Sequence, residues 1–455
     1  MEGGGVIVQG KGSQSSLDLL VAGKLYIGGE LIEAAVGVEG GRVAWVGKPS
    51  LAPCAEKRID AGEGVIVLPG MVDMHVHMRD LNESEKEDWF TGTLSALAGG
   101  VTFVADMPNN KPPARTAEVL LAKEAEASKK AVVDYGFYIG LPSSSHVLTH
   151  ATDFGVVGLK LYPEDLMHEN LISALQYAAT LDLMVVVHAE DPLFLRATNA
   201  LGEKSFTAHG RLRPPAAEAS AIHLMAHLAQ RLGFQLHFTH VSSAEGLKAA
   251  LRAKLSVGAT LDTAVHYLFL SEETATRLGG LAKVNPPLRS RNDVVALRRS
   301  LRSGLLDAVV TDHAPHTLEE KLSQDYDAVP PGFPGLELCL PLLLTLIAEG
   351  EAPLRALDLY SSRPADLLGV PKGKIEVGRD ADLVFVNTKE RWTIKGSNLK
   401  SKAKYTPFEG FEVRGRIEKV FVRGTLAFDG DELLVSKGFG KRYSSRRRGG
   451  ALSFP

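Results

Sequence analysis

Val65-Ile-Val-Leu-Pro-Gly-Met-Val-Asp-Met-His-Val-His77 is a mostly apolar run that ends in two histidines, and it is the first of eight such runs in the chain. The others are Val101–Met107, Tyr135–Leu141, Val156–Tyr162, Met184–Ala189, Leu236–Val241, Val257–Asp262 and Ala308–Asp312. Short apolar runs without a polar stripe read as strands buried on both faces. Between them lie longer segments rich in Ala and Leu, such as Thr116–Lys129 and Ala216–Leu232, which have the length and composition of helices. Eight alternations of strand and helix predict an α/β protein built as a (β/α)8 TIM-type barrel, with an open doubly wound sheet as the alternative.

Outward from this middle, both ends change character. Residues 17–50 alternate short apolar stretches (Leu19–Val21, Lys24–Ile27, Val43–Val46) with Gly-rich turns, and residues 373–430 do the same at Lys374–Val377, Asp382–Val386, Glu412–Val413 and Lys419–Val422. Such patterns read as strands and hairpins. The expected organisation is therefore an accessory β-sandwich made by both chain ends (17–66 and 369–436) around a catalytic barrel (67–368). A basic tail, 437–455, is expected to be disordered.

The 455 residues are 45% hydrophobic and 23% charged, which is ordinary for globular domains and excludes fibrous or disordered classes. A net charge of −3 makes no case for nucleic acid or an anionic membrane as partner. The first residues lack a secretory signal pattern. The most apolar stretch, Leu338–Ile347, contains a proline and falls short of the ~20 residues a membrane span needs. Two cysteines, Cys54 and Cys339, form no disulfide framework, and a cytoplasmic protein is expected.

Chemistry gathers at the ends of the predicted strands. Side chains alternate along a strand, so Asp73, His75, His77 and Arg79 share one face, and the later ones stand at the C-terminal mouth where barrels place their active sites. Two histidines alone would suit a hydrogen-bonded core. Lys160, His188, His240 and Asp312, however, lie at or near the ends of four further strands, so that one shared mouth would collect nitrogen and oxygen ligands fit for a divalent metal.

The run 69–79 joins Lys86-Glu-Asp88, Ala98-Gly-Gly-Val-Thr102, Met107-Pro-Asn109, Gly158-Leu-Lys-Leu-Tyr162, His188-Ala-Glu190, Asp312-His-Ala-Pro-His316 and Pro331-Gly-Phe-Pro-Gly-Leu-Glu337. Together these resemble the cyclic-amidohydrolase branch of the amidohydrolase superfamily, and within it the class I dihydroorotases. The resemblance implies two Zn2+ ions: His75, His77 and Asp312 at one, His188 and His240 at the other, with Lys160 bridging them as an N6-carboxylated lysine. It implies that Asp312 shuttles the proton while N-carbamoyl-L-aspartate closes to L-dihydroorotate. Arg79, Asn109 and His316 match substrate carboxylate contacts, and Asn285 and Gly335 match ring contacts. A homodimer and association with aspartate transcarbamoylase are also implied.

The chain departs from the pattern in places. Asp262 stands where the animal enzymes have Glu, which puts a ligand role there in doubt, and the loop Pro163-Glu-Asp-Leu-Met-His168 keeps Asp165 open as the bridging group instead of Lys160. His266 is a candidate neighbour of the site, while His313 is expected to point away. His146, His150, His168 and His209 read as loop residues, His223 and His227 as a helix surface, and His237 as facing away from His240. Two rivals remain: a hydantoinase, dihydropyrimidinase or allantoinase sharing the metal centre, and a noncatalytic scaffold. Scaffolds of that kind lose ligands, whereas this chain keeps every candidate.

Overall fold

A computed structural model describes residues 17–200 and 203–445. Eight parallel strands follow one another in chain order: β1 (Met71–Val76), β2 (Val101–Asp106), β3 (Asp134–Gly140), β4 (Gly158–Leu161), β5 (Val185–Val187), β6 (Leu236–Phe238), β7 (Thr260–Ala264) and β8 (Ala308–Val310). The row closes on itself just beyond its last strand, where Val76 pairs in parallel with His313 and the His77 N–H donates to the His313 carbonyl at 2.8 Å. That closure makes a barrel and rules out the open sheet. Asp73 spans the same seam, its carboxylate accepting from the Thr311 N–H at 3.2 Å and the Tyr360 hydroxyl at 3.0 Å.

The first apolar run divides in two. Val65–Pro69 belongs to the accessory sheet and Met71–Val76 to the barrel, so the expected boundary at 66/67 falls inside a strand. Gly70 is the pivot: a Cβ there would stand 2.1 Å from Thr102 Oγ1 and 2.7 Å from Asp382 Cβ, closer than any side chain tolerates. The accessory sheet has nine strands drawn from both chain ends. Leu17–Ile27 pairs antiparallel with Glu30–Glu39, and Val65–Pro69 pairs antiparallel with Leu383–Thr393, which carries Glu412–Val422 on its other side. The sheet encloses its own apolar cluster, including Val21, Leu25, Val36, Val67, Leu383 and Phe421. Lys374–Val377 forms no strand, although Ile375 joins that cluster.

The stretch Leu338–Ile347 becomes the buried helix Cys339–Ala348, wedged between barrel and accessory sheet, where Thr345 Oγ1 accepts from the Arg414 N–H at 2.9 Å. Among the described residues no helix is long and apolar enough to cross a membrane. The expected tail needs correcting in its first part. Residues 437–445 run along β3, with Tyr135 N–H donating to the Lys441 carbonyl at 3.0 Å and Tyr443 N–H to the Tyr135 carbonyl at 2.8 Å. Phe439 and Tyr443 pack against the core there, so backbone pairing and two aromatic rings outweigh the polarity of the segment. Residues 446–455 lie outside the described residues.

Candidate active site

Except for Lys160 and Gly335, the predicted residues line one cleft of about 490 Å³ at the C-terminal mouth of the barrel. Its walls include His75, His77, Arg79, Asn109, His188, His240, Asn285, Asp312 and His316. Three of these adopt left-handed backbone just past a strand end: Arg79 at φ 55°, His240 at φ 44° and Asp312 at φ 48°. Such conformations cost L-residues about 1–2 kcal/mol, and they persist where packing forces them, commonly at active sites. Here they turn side chains from the strand line into the cleft.

Asp312 Oδ1 lies 3.3 Å from His75 Nε2 and 3.1 Å from His77 Nε2. Tetrahedral zinc with ligands at about 2.0–2.1 Å sets them roughly 3.3 Å apart, so this trio fits a metal ion, and its ligand atoms all lie within 4.8 Å of one another. The tautomers agree. Thr239 Oγ1 donates to Asp262 at 3.1 Å and is 2.6 Å from His75 Nδ1, so it must accept from that Nδ1–H and leave Nε2 with its lone pair. His77 Nδ1–H donates to Asn109 Oδ1 at 2.6 Å, with the same consequence.

A second group stands beside the first. The His188 and His240 rings are 4.5 Å apart, and His240 is 5.0 Å from His75. Lys160 Nζ and His240 Nδ1 are buried without a hydrogen-bond partner among the described residues, an arrangement that is costly unless something else satisfies them. Burial, then Lys160 and the neighbouring imidazoles, hold His75 and His240 well below the usual histidine range, as neutral ligands require. Burial also pushes the Lys160 ammonium down to about 7, against the pull of Asp312, Asp262 and Asp165.

Arg79 is 6% exposed, and its Nε donates to the Pro315 carbonyl at 3.0 Å while Nη2 donates to His316 Nε2 at 2.9 Å. Among the described residues no carboxylate lies within 4 Å of this guanidinium, which lines the cleft next to the histidines. Asn285 also faces the cleft, its Oδ1 buried and unpartnered among the described residues. Gly335 does not line it. Its N–H donates to His313 Nδ1 at 3.1 Å behind the wall that Pro331 and Gly332 form.

Asp165 is engaged on both oxygens: one accepts from Arg115 Nη2 at 3.0 Å and the other from the Tyr162 N–H at 2.9 Å. Asp262 sits beneath the site, accepting from the His240 N–H at 2.5 Å and from His237 Nε2 at 2.8 Å. His266 is buried against Tyr267 and Phe333, and His223 and His227 are exposed on their helix. Three residues were not anticipated. Thr239 and Glu190 neighbour cleft histidines in sequence, and the same-face spacing of His188 and Glu190 was a usable signal. Arg213 carried none, because only folding brings it to Glu190.

Residues 66–427 match the model of the amidohydrolase family. The chain belongs to this family. Among curated relatives, this amidohydrolase is 39% identical to a dihydroorotase of Halobacterium salinarum over 388 residues, 84% of this chain and 90% of the relative. It is 35% identical to a dihydroorotase of Geobacter metallireducens, covering 94% of this chain and 99% of the relative. Its fold matches the L-hydantoinase (dihydropyrimidinase) of Arthrobacter aurescens with a TM-score of 0.89 at 30% identity, over 94% of this chain and 100% of that one. A D-hydantoinase of Thermus sp. gives a TM-score of 0.86 at 28% identity, over 94% and 99%. The resemblance drawn from the motifs and the barrel fold both hold.

Proposed function

We propose that this protein is a zinc-dependent dihydroorotase, a hydrolase of cyclic amide C–N bonds that interconverts N-carbamoyl-L-aspartate and L-dihydroorotate. The observation that carries the reading is Arg79, a buried guanidinium with no carboxylate partner among the described residues, on the wall of a cleft that holds a His-His-Asp cluster. A buried charge of this kind calls for an anion, and dihydroorotate brings a carboxylate that takes no part in ring opening. Hydantoinase and dihydropyrimidinase, the names of the structural neighbours, form the alternative, and their rings lack that group.

His75, His77 and Asp312 would hold one ion, and His188 and His240 the other. A neutral Lys160 amine that takes up carbon dioxide and loses a proton becomes a carbamate whose two oxygens would bridge them. Its burial and missing partner support this, as does the engagement of both Asp165 oxygens. When bound, two divalent ions supply Lewis acidity and bring the pKa of water toward ~7. Asp312 takes the proton of the attacking water and passes it to the leaving ring nitrogen, and in ring closure it moves the proton the other way. Arg79, Asn109 and His316 hold the substrate carboxylate, with Asn285 beside the ring. Gly335 would act only by shaping the wall behind His313.

The reading carries a cytoplasmic setting, for which two unpaired cysteines speak, together with the homodimer and the association with aspartate transcarbamoylase that the resemblance implies. Light scattering with and without that enzyme tests both. Turnover of L-dihydroorotate by protein that carries two equivalents of metal tests the activity. Fully loaded protein that leaves dihydroorotate untouched overturns it.

A further inference from the structure

The histidines of the cleft are anchored in two different ways. His75 and His77 are held at Nδ1 by neutral oxygens, Thr239 Oγ1 and Asn109 Oδ1, and turn Nε2 toward Asp312. His188 is held by the opposite nitrogen: its Nε2 lies 2.6 Å from Glu190 Oε2. Glu190 is fully buried and is gripped by Arg213, whose Nε lies 3.1 and 3.2 Å from its two oxygens and whose Nη2 also donates to Oε2. Paired with that guanidinium fork, Glu190 is held as a carboxylate. The anion can only accept, so His188 Nε2 carries the proton and Nδ1 keeps the lone pair.

Arg213 is itself fixed. Its carbonyl accepts from Arg289 Nη1, and Arg289 Nε donates to Ser242 Oγ at 3.0 Å, just beyond His240 in the chain. Arg213 lines the cleft, but its charge is matched by Glu190, whereas Arg79 has no carboxylate partner among the described residues. A carboxylate behind a histidine fixes its tautomer and raises its basicity as a ligand, and the loss of such a partner typically costs 10–100-fold in metal affinity or activity.

We infer that Glu190 and Arg213 are positioning residues for His188, setting the nitrogen it offers and tightening the metal position it shares with His240. The inference rests on the reading that the cleft takes two ions. Its prediction is asymmetric: weakening should fall on the His188 position and spare the one formed by His75, His77 and Asp312.

The test titrates cobalt(II) alone into chelator-stripped full-length protein, followed by absorbance and calorimetry, for wild type, H188A, E190Q, R213A and R213K. Glu190→Gln keeps an acceptor of the same size but removes the charge. The expected result is that E190Q and R213A weaken by about 10–100-fold the equivalent that H188A abolishes, while the other equivalent keeps its wild-type affinity, and R213K recovers much of the loss. Two equivalents bound by E190Q as tightly as by wild type overturn the inference alone. Both equivalents weakened together to the same extent assign the pair a purely structural role and overturn it too. Wild type that takes up a single equivalent overturns the two-ion reading and this inference with it.

Discussion

Arg79→Ala separates a dihydroorotase from its neutral-ring relatives. The guanidinium has five N–H donors. Two are engaged, at Pro315 O and His316 Nε2, which leaves three for a ligand, enough for a paired, charge-assisted grip on a carboxylate. At 6% exposure solvent cannot take over when the side chain is removed. Truncating one partner of a desolvated charged pair costs about 2–5 kcal/mol, which is roughly a thirtyfold to several-thousandfold loss at 1.4 kcal/mol per decade. Steady-state hydrolysis of L-dihydroorotate by Arg79→Ala should lose that factor in kcat/KM with metal content unchanged. The loss should persist at high salt, because buried pairs are weakly screened. Arg79→Lys, which keeps the charge without the fork, should fall near the lower end. Wild type should turn over dihydrouracil, which lacks the carboxylate, poorly. An Arg79→Ala enzyme with normal kcat/KM on dihydroorotate, or comparable wild-type rates on both rings, would refute the reasoning and leave a metal-dependent amidohydrolase of other specificity.

Lys160→Ala should lose the bridge, at least one metal equivalent by elemental analysis and nearly all activity, while native mass spectrometry of wild type should show one added carbon dioxide. Asp312→Asn keeps a residue that tolerates left-handed backbone but cannot take a proton, so kcat should drop by about 10²–10⁴ in a stopped-flow or steady-state assay. His209 bonds Tyr326 OH at 2.7 Å and the Val284 carbonyl at 2.9 Å, and burial pushes it down from 6.5 to about 4. Between those values the unfolded chain holds the extra proton, so its stabilising share is whole above pH 6.5 and drains as pH falls toward 4. The stability gap between wild type and His209→Gln, read by denaturant unfolding, should therefore narrow by up to about 3 kcal/mol across that window. Lys372 Nζ is buried between Asp134 at 2.7 Å, Asp382 at 2.8 Å and Asp380 at 3.1 Å, joining barrel to accessory sheet. Lys372→Met should cost about 3–5 kcal/mol, seen as a lowered unfolding midpoint.

What the sequence determined by itself was local and periodic. Eight apolar runs spaced by helical segments specified alternating strands and helices, and the strand Met71–Val76 carried His75 to its C-terminal end, because strand geometry depends on nothing beyond the strand. The candidate site residues at strand ends were legible because every strand of a parallel barrel delivers its last residues to one mouth. Tertiary structure decided what depends on partners far apart in the chain. Closure between Val76 and His313 chose barrel over open sheet. The left-handed turns at Arg79, His240 and Asp312 arise only where packing forces them. Arg115 engaged Asp165, and His313 took the N–H of Gly335. Residues 437–445, polar enough to read as a tail, found a backbone edge at Tyr135. Arg213 reached Glu190 across 23 positions. Periodicity records what a residue does to its neighbours along the chain, whereas a hydrogen bond between distant segments exists only once the core has brought them together.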